Sequence, residues 1–412
     1  MWQAAAWGLI DEGVKVIDIG TISTDMLYFA VGKYGYDGGI TISASHNPAE
    51  FNGMKIVREN AIPISSDSGL FEIRDLAQKI RPPKLEIGNW KLEITKQDIL
   101  QEYTKHNLSF INTSGIKPFK VVINANFGMA GVAAKAMVKQ GKLPVELIEL
   151  NCEPDGSFPK GRPDPLIPEN RIETSALINK TEADLGVAWD ADADRCFFFN
   201  GKGEFVTPAF MTSLMAAHLL KKTGGYSDAS VGARRGREKI INDTRIFWPI
   251  LDTVKANGGE LVLTKAGHTF IKERMRAEDG LFGAETSAHY FYRDNFYADN
   301  GMVSFLLALE ILSEKKQKLS VAIAEFQKKY AVSDEINFIV TDPEKVLASF
   351  KKKYAKADID DRDGLSINFK DWRFSLRSSN TEACIRLNVE TRGDYTLLKQ
   401  KVDELSHEIT NS

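Results

Sequence analysis

The sequence predicts an α/β protein of several domains, and three observations carry the prediction. Short β-rich runs alternate with longer helical patterns through most of the chain, the signature of α/β units. At ~150 residues per domain, 412 residues suggest two to four domains and are too many for one compact core. Near Lys328-Lys329-Tyr330 a long helical region ends, and the pattern changes to a short α+β tail.

The elements follow in order. Residues 4–10 read as a helix with no Ser, Thr, Asp or Asn before them as an N-cap. Gly13 breaks it, and residues 14–20 are strand-like, so the chain reads as beginning inside an α/β unit. Strands running into loops are expected at 39–43, 120–124, 185–189, 239–241, 261–263 and 281–283, with a helix after Gly128 reaching about Lys139. Arg81-Pro82-Pro83-Lys84 cannot continue a helix. Prolines 154, 159, 163, 165 and 168 are five of the fourteen in the chain, which makes that stretch an extended loop. In the tail, 372–376 and 384–389 alternate like two strands joined by a turn. In open α/β sheets ligands gather beyond the carboxyl ends of strands, so these loops are where chemistry is sought.

Composition narrows the function. Lys+Arg 53 against Asp+Glu 56 leaves a net charge of -3, which favours neither nucleic acid nor an anionic membrane as partner. Any anionic ligand must be held by local basic clusters. Cys152, Cys196 and Cys384 lie far apart, against a disulfide framework or zinc site and in keeping with a reducing cytosol. No apolar run approaches the ~18 residues of a membrane span, and the first residues lack the basic start of a signal peptide. A soluble, cytoplasmic protein is expected.

Five loops carry candidate chemistry. In Ser43-Ala44-Ser45-His46-Asn47-Pro48, a hydroxyl beside His46 with Lys55 downstream suits an activated nucleophile or a phosphate carrier; the plain alternative is a polar turn before a helix. Asp190, Asp192 and Asp194 leave an apolar strand at alternate positions, with Arg195 next. Three carboxylate oxygens so placed can converge on a hard cation such as Mg²⁺, and three such charges are unfavourable without a counter-ion. A solvated acidic turn is the other reading. Glu285, Ser287 and His289 would face one side of extended backbone and suit vicinal sugar hydroxyls, unless they form only a polar turn between strands. Arg377-Ser378-Ser379-Asn380-Thr381-Glu382, with Arg386 beyond, offers a guanidinium fork, hydroxyls and backbone N–H groups to a phosphate, or else makes ordinary surface salt bridges. Lys265-Ala266-Gly267-His268 follows a strand and precedes a basic helix, and Asp243-Thr244-Arg245 ends the strand before it. A lone His268 is more often structural than catalytic. Arg234-Arg235-Gly236-Arg237 is most simply a solvated loop.

Together these segments resemble the α-D-phosphohexomutase family. The resemblance rests on TISASHNP at 41–48, DADADR at 190–195, GAETSAHYF at 283–291 and RSSNTEACIRLNVE at 377–390. FNGMKIVRE at 51–59, DTR at 243–245 and KAGHTFIKERMR at 265–276 support it. It spans nearly the whole chain, and within the family it looks most like the bacterial phosphomannomutases.

The resemblance implies three related α/β domains with mixed sheets around a central cleft, plus a small C-terminal α+β domain. The cuts would fall so that 1–116 carries the phosphoserine, 117–225 the metal loop, 226–335 the sugar loop and 336–412 the phosphate site. It implies Ser45 as the phosphoserine, with His46 beside it and Lys55 as general acid/base. Ser45, Asp190, Asp192 and Asp194 would hold Mg²⁺, and Arg195 would lie near the phosphoryl group. Glu285, Ser287 and His289 would grip the sugar, while Arg377, Ser379, Asn380, Thr381 and Arg386 would clamp the distal phosphate. Arg245 and His268 would orient the ligand.

The implied activity interconverts mannose 6-phosphate and mannose 1-phosphate, supplying GDP-mannose synthesis, with a hexose 1,6-bisphosphate as intermediate and activator. Glucose or glucosamine phosphate are the alternative substrates, and a monomer or homodimer is the implied assembly. Two departures stand out. Ala191 and Ala193 occupy positions where the family usually has Gly, and alanine suffers if either needs φ > 0. The family's opening strand, with its Arg-Gly loop, has no counterpart before Met1. The resemblance thus implies a first domain truncated at its N-terminus, with an inactive phosphosugar-binding remnant as the competing reading.

Overall fold

The computed structural model describes residues 1–80, 94–224, 236–378 and 384–411. Along the chain run α1 (Trp2–Asp11), β1 (Ile17–Asp18), α2 (Thr24–Tyr34), β2 (Gly38–Ile42), β3 (Met54–Arg58), β4 (Ile62–Pro63) and α3 (Leu70–Lys79). Next come β5 (Thr95–Lys96), α4 (Leu100–Leu108), β6 (Phe119–Asn124), α5 (Ala130–Gln140), β7 (Val145–Leu150), α6 (Ile172–Thr181), β8 (Leu185–Trp189), β9 (Cys196–Asn200) and β10 (Phe205–Val206). They are followed by α7 (Pro208–Lys222), β11 (Lys239–Asp243), α8 (Trp248–Ala256), β12 (Glu260–Thr264), α9 (His268–Glu278), β13 (Phe282–Ala284) and β14 (Tyr290–Tyr292). Then come β15 (Ala298–Asp299), α10 (Gly301–Lys315), α11 (Leu319–Lys329), β16 (Ala331–Val332), β17 (Ile336–Ile339) and α12 (Pro343–Lys353). The chain closes with β18 (Asp358–Asp360), β19 (Leu365–Asn368), β20 (Trp372–Ser378), β21 (Cys384–Thr391) and α13 (Tyr395–Thr410).

These elements form two units, residues 1–205 with 294–314 and residues 206–293 with 315–412. In the first, β9, β8, β6 and β7 lie side by side: β6 is parallel to β7 and β8, and β9 returns antiparallel to β8. All five residues of β8 and of β9 are buried. Near-continuous apolar runs such as LGVAW and CFFFN fit strands covered on both faces. A separate antiparallel sheet joins β2, β3 and β4, and among the described residues β1 pairs only with β5.

In the second unit β11 is parallel to β12 and β13, and β14 is antiparallel to β13. The tail is a separate antiparallel sheet in the order β16-β21-β20-β19-β18, with β17 also against β21. Phe350, Ile367, Phe374, Leu387 and Ile409 centre its core. Arg373 and Glu390 are fully buried as a 2.5 Å ion pair. Arg373 also donates to the carbonyls of Thr244 and Arg245 at 2.9 and 2.7 Å, and Glu390 accepts from the amides of Phe247 and Trp248. The pair is therefore satisfied on both sides and fixes the loop after β11 to the tail sheet.

Most expected strands form within a residue or two of their sequence positions. The run at 14–20 gives only the two paired residues of β1, since pairing requires a neighbour and β5 is equally short. The expected breaks at Arg81-Pro82-Pro83-Lys84 and the basic pair Arg234-Arg235 lie outside the described residues. Among the described residues no helix is long and apolar enough to cross a membrane.

Candidate active site

The serine loop is a hairpin connection and not a turn before a helix. β2 and β3 pair antiparallel, which sets Lys55 opposite Thr41, and the Ser43 amide donates to the Gly53 carbonyl at 3.1 Å. Ser45 itself sits at φ 52, a left-handed conformation that costs a non-glycine residue roughly 1–2 kcal/mol and clusters at functional sites. The acidic loop is likewise a hairpin, between β8 and β9, with Trp189 paired to Cys196.

The two hairpins meet. The Ser45 hydroxyl lies 3.1 Å from Asp190 Oδ2 and 3.0 Å from His46 Nδ1. Arg195 Nη2 lies 3.3 Å from His46 Nε2. A guanidinium only donates, so Nε2 accepts, Nδ1 carries the proton, and Ser45 Oγ accepts from it. The hydroxyl proton is thereby directed at Asp190. His46 does not activate Ser45 as a base in this arrangement; it holds the oxygen in place. Burial, then the Arg195 charge, lowers the imidazole to about 3, keeping it neutral.

Asp190, Asp192 and Asp194 are all buried, and each brings a carboxylate oxygen within 4.8 Å of the others. Burial, reinforced by Asp194 and Asp192, pushes the Asp190 carboxyl well up. Asp192 goes the other way: burial and Asp194 raise it, but the Lys55 charge and the hydrogen bonds from Lys55 and Thr24 together bring it below the usual range. Lys55 Nζ bonds Asp192 at 2.6 Å and also Asp194. Burial opposes its charge, yet the two carboxylates hold it well above the usual range. Asp192 Oδ1 is buried with no hydrogen-bond partner among the described residues. Three hard oxygen donors and an orphaned oxygen fit a divalent cation.

The backbone strain that alanine was expected to meet is present at one position. Ala193 takes φ 60, while Ala191 keeps a negative φ. The three carboxylates converge despite it. Thr24, which the sequence did not single out, ties α2 to this loop: its amide donates to the Asp192 carbonyl at 2.9 Å and its hydroxyl to Asp192 Oδ2 at 2.7 Å. Asp164 and Arg162 were also missed. Asp164 lies 3.7 Å from Arg195, and Arg162 Nε donates to the His46 carbonyl at 2.8 Å. A proline-rich loop gives no periodic signal from which to find them.

In the second unit, Glu285, Ser287 and His289 occupy the turn of the β13–β14 hairpin, where the Glu285 amide bonds the His289 carbonyl and Ala288 takes φ 66. The expected extended backbone is replaced by this turn, which brings the three side chains together by folding the chain back. His289 Nδ1 is 3.0 Å from Glu285 Oε2 and 3.1 Å from Ser287 Oγ. Burial would raise the Glu285 carboxyl, but His289, then Arg245, holds it well below the usual range. The Gly267 amide donates to Glu285 at 2.6 Å, so the KAGH loop abuts the same carboxylate. His268 begins α9, its ring 6.2 Å from that of His289.

Arg245 is held by Asp243 at 2.8 and 3.1 Å. β20 and β21 place Arg377 directly opposite Arg386. Ser379, Asn380 and Thr381 lie outside the described residues.

Comparison with known proteins identifies the family of the chain. Residues 1–84, 101–203 and 210–330 match the models of phosphoglucomutase/phosphomannomutase alpha/beta/alpha domains I, II and III, and residues 335–408 match that of the C-terminal domain. A phosphomannomutase of Escherichia coli is 40% identical over 408 residues, covering 98% of this chain and 87% of that protein. One from Vibrio cholerae is 42% identical over 411 residues, with 98% and 85% covered. Among solved structures, a phosphoglucomutase/phosphomannomutase family protein of Burkholderia thailandensis superposes with a TM-score of 0.79 at 26% identity, covering 97% and 83% of the two chains. A Paramecium phosphoglucomutase, at 20% identity and TM-score 0.75 over 97% and 82%, shares the fold. With four domain models in sequence order and full-length relatives at this identity, the chain belongs to the phosphoglucomutase/phosphomannomutase family, the α-D-phosphohexomutases.

Proposed function

We propose that the protein is a phosphomannomutase, an intramolecular phosphotransferase that interconverts mannose 6-phosphate and mannose 1-phosphate through a phosphorylated Ser45. The observation that carries the reading is the meeting of Ser45, Asp190 and the Lys55-bridged Asp192–Asp194 pair in one cluster around three buried carboxylates. Phosphoryl transfer asks chiefly for positioning and for neutralisation of charge, and this cluster offers both. The names and extents of the bacterial relatives favour mannose phosphate over glucose or glucosamine phosphate.

Asp190, Asp192 and Asp194, with an oxygen of the phosphorylated serine, would hold Mg²⁺. When bound, the cation neutralises the transferring phosphoryl group. Lys55, kept as an ammonium, supplies a proton or a positive charge beside the same oxygens. His46, neutral and donating to Ser45, fixes the nucleophile's rotamer. Arg195 lies within reach of Asp190, Asp164 and His46, which supports a role for its charge beside the transferring phosphoryl group.

Glu285, held as a carboxylate, accepts from a pair of sugar hydroxyls, and Ser287 and His289 complete the ring of donors and acceptors. Arg245, Arg377 and Arg386, with Ser379, Asn380 and Thr381, would hold the phosphate that is not being transferred, and His268 would help orient the ligand. Mannose 6-phosphate accepts the phosphoryl group at O1. The 1,6-bisphosphate then presents its other phosphate, which returns to Ser45 and leaves mannose 1-phosphate. Both orientations must fit, so the second unit offers polar contacts in place of a narrow apolar pocket. A trace of hexose 1,6-bisphosphate would serve as activator, in a cytoplasmic enzyme acting as monomer or homodimer.

The test is a coupled assay with mannose 1-phosphate, Mg²⁺ and catalytic hexose 1,6-bisphosphate. Turnover is expected for the wild type, with Ser45→Ala reduced at least a thousandfold. Equal rates for the two proteins would refute the reading.

A further inference from the structure

Each arginine assigned to the non-transferring phosphate faces a carboxylate of its own unit. Arg377 and Arg386 are direct cross-strand partners, and like charges so placed destabilise a sheet unless anions lie between them. Asp363 supplies one, 3.6 Å from Arg377. Glu335, just before β17, supplies the other and does more. Its Oε1 lies 3.7 Å from Arg386 Nη1 and its Oε2 lies 3.4 Å from Arg245 Nη1. One carboxylate therefore spans two guanidiniums from separate segments, one in the tail sheet and one in the loop after β11. A phosphate can make the same bridge with two of its oxygens.

The distances separate this contact from a structural one. Arg245 is fixed by Asp243 at 2.8 Å, within the range of a charge-assisted bond, whereas both Glu335 contacts are longer than the ~2.7–2.9 Å of such bonds. Glu335 is 26% exposed, so it can swing to water at small cost, while Asp243 is fully buried. The Nε groups of Arg377 and Arg386 are buried and have no hydrogen-bond partner among the described residues. These donors stand ready for additional acceptor oxygens.

We infer that Glu335 is an internal stand-in for the substrate phosphate: it engages Arg245 and Arg386 until a phosphoryl group displaces it, and so caps the affinity of this site. The inference rests on the assignment of these arginines to phosphate and adds a competitor to it. A cap has a use in a mutase. The bisphosphate must leave this site to turn round, and a carboxylate that reclaims the guanidiniums lowers the cost of that release.

Calorimetric titration of the full-length protein with inorganic phosphate, and separately with mannose 6-phosphate, tests it on wild type, Glu335→Gln, Glu335→Ala and Arg386→Gln. Both Glu335 variants are expected to bind each ligand at least threefold more tightly than wild type, while Arg386→Gln binds more weakly. If Glu335 served instead to orient the arginines, its variants would weaken binding. Unchanged or weaker binding by them, with Arg386→Gln still impaired, would overturn the competitor and leave the phosphate assignment standing. Wild type that binds neither ligand, or binding indifferent to Arg386→Gln, would overturn both.

Discussion

Asp25 shows what a single residue contributes behind the site. It is fully buried in the first turn of α2, accepting from Ser23 and from the Tyr103 hydroxyl at 2.6 Å. Burial dominates these bonds and raises its carboxyl to about 7. Because the folded value lies above the unfolded one, the folded state binds the extra proton between them, and stability falls as pH rises from about 4 to 7. At ~1.4 kcal/mol per unit, up to about 4 kcal/mol is lost across that window. Asp25→Asn removes the ionisation, so its stability relative to wild type should improve steadily from pH 4 to pH 7 in denaturant titrations. A constant difference across that range would show that the carboxyl ionises normally. Residues of this kind were not legible in the sequence. Asp25 and Thr24 look like an ordinary helix start, and only the packing of α4 and the acidic loop against α2 gives them partners. Ser45 and the three aspartates stood out as candidates because a hydroxyl beside a histidine and carboxylates at alternate positions after an apolar strand are unusual patterns.

At the level of elements, the loops that carry the candidate chemistry are hairpins. The serine, acidic and sugar loops join β2 to β3, β8 to β9 and β13 to β14, each pair antiparallel. The alternation of apolar and polar runs located each first strand. It did not show that the chain turns straight back, since MKIVR, CFFFN and YFY are too short to reveal a direction of pairing. The acidic hairpin depends on a neighbouring loop for its shape. A Cβ added at Gly128 would lie 1.9 Å from the Ala191 carbonyl oxygen, far inside contact distance, and the atom it meets is backbone. Gly128→Ala should therefore displace the loop, weakening Mg²⁺ activation at least tenfold while far-ultraviolet circular dichroism stays unchanged. Mg²⁺ dependence identical to wild type would mean that the loop's position does not set the metal site.

Across the whole molecule, the order of motifs along the chain follows the family's domain order, because each motif lies in a separate α/β domain or in the tail. The division into two units was not legible. Within the second unit, the Arg373–Glu390 pair fastens the tail sheet to the loop after β11 through four main-chain bonds. An isolated Arg and Glu in two strands give no hint of that partner. The proposed chemistry divides accordingly, with phosphoryl transfer in the first unit and recognition of sugar and distal phosphate in the second. Its central claim is that Ser45 carries the phosphoryl group. Intact mass spectrometry before and after incubation with glucose 1,6-bisphosphate and Mg²⁺ tests this most directly. The account predicts a gain of one phosphoryl group, mapped to Ser45 by peptide fragmentation and discharged on adding mannose 6-phosphate. No gain, or a gain at another residue, would contradict it.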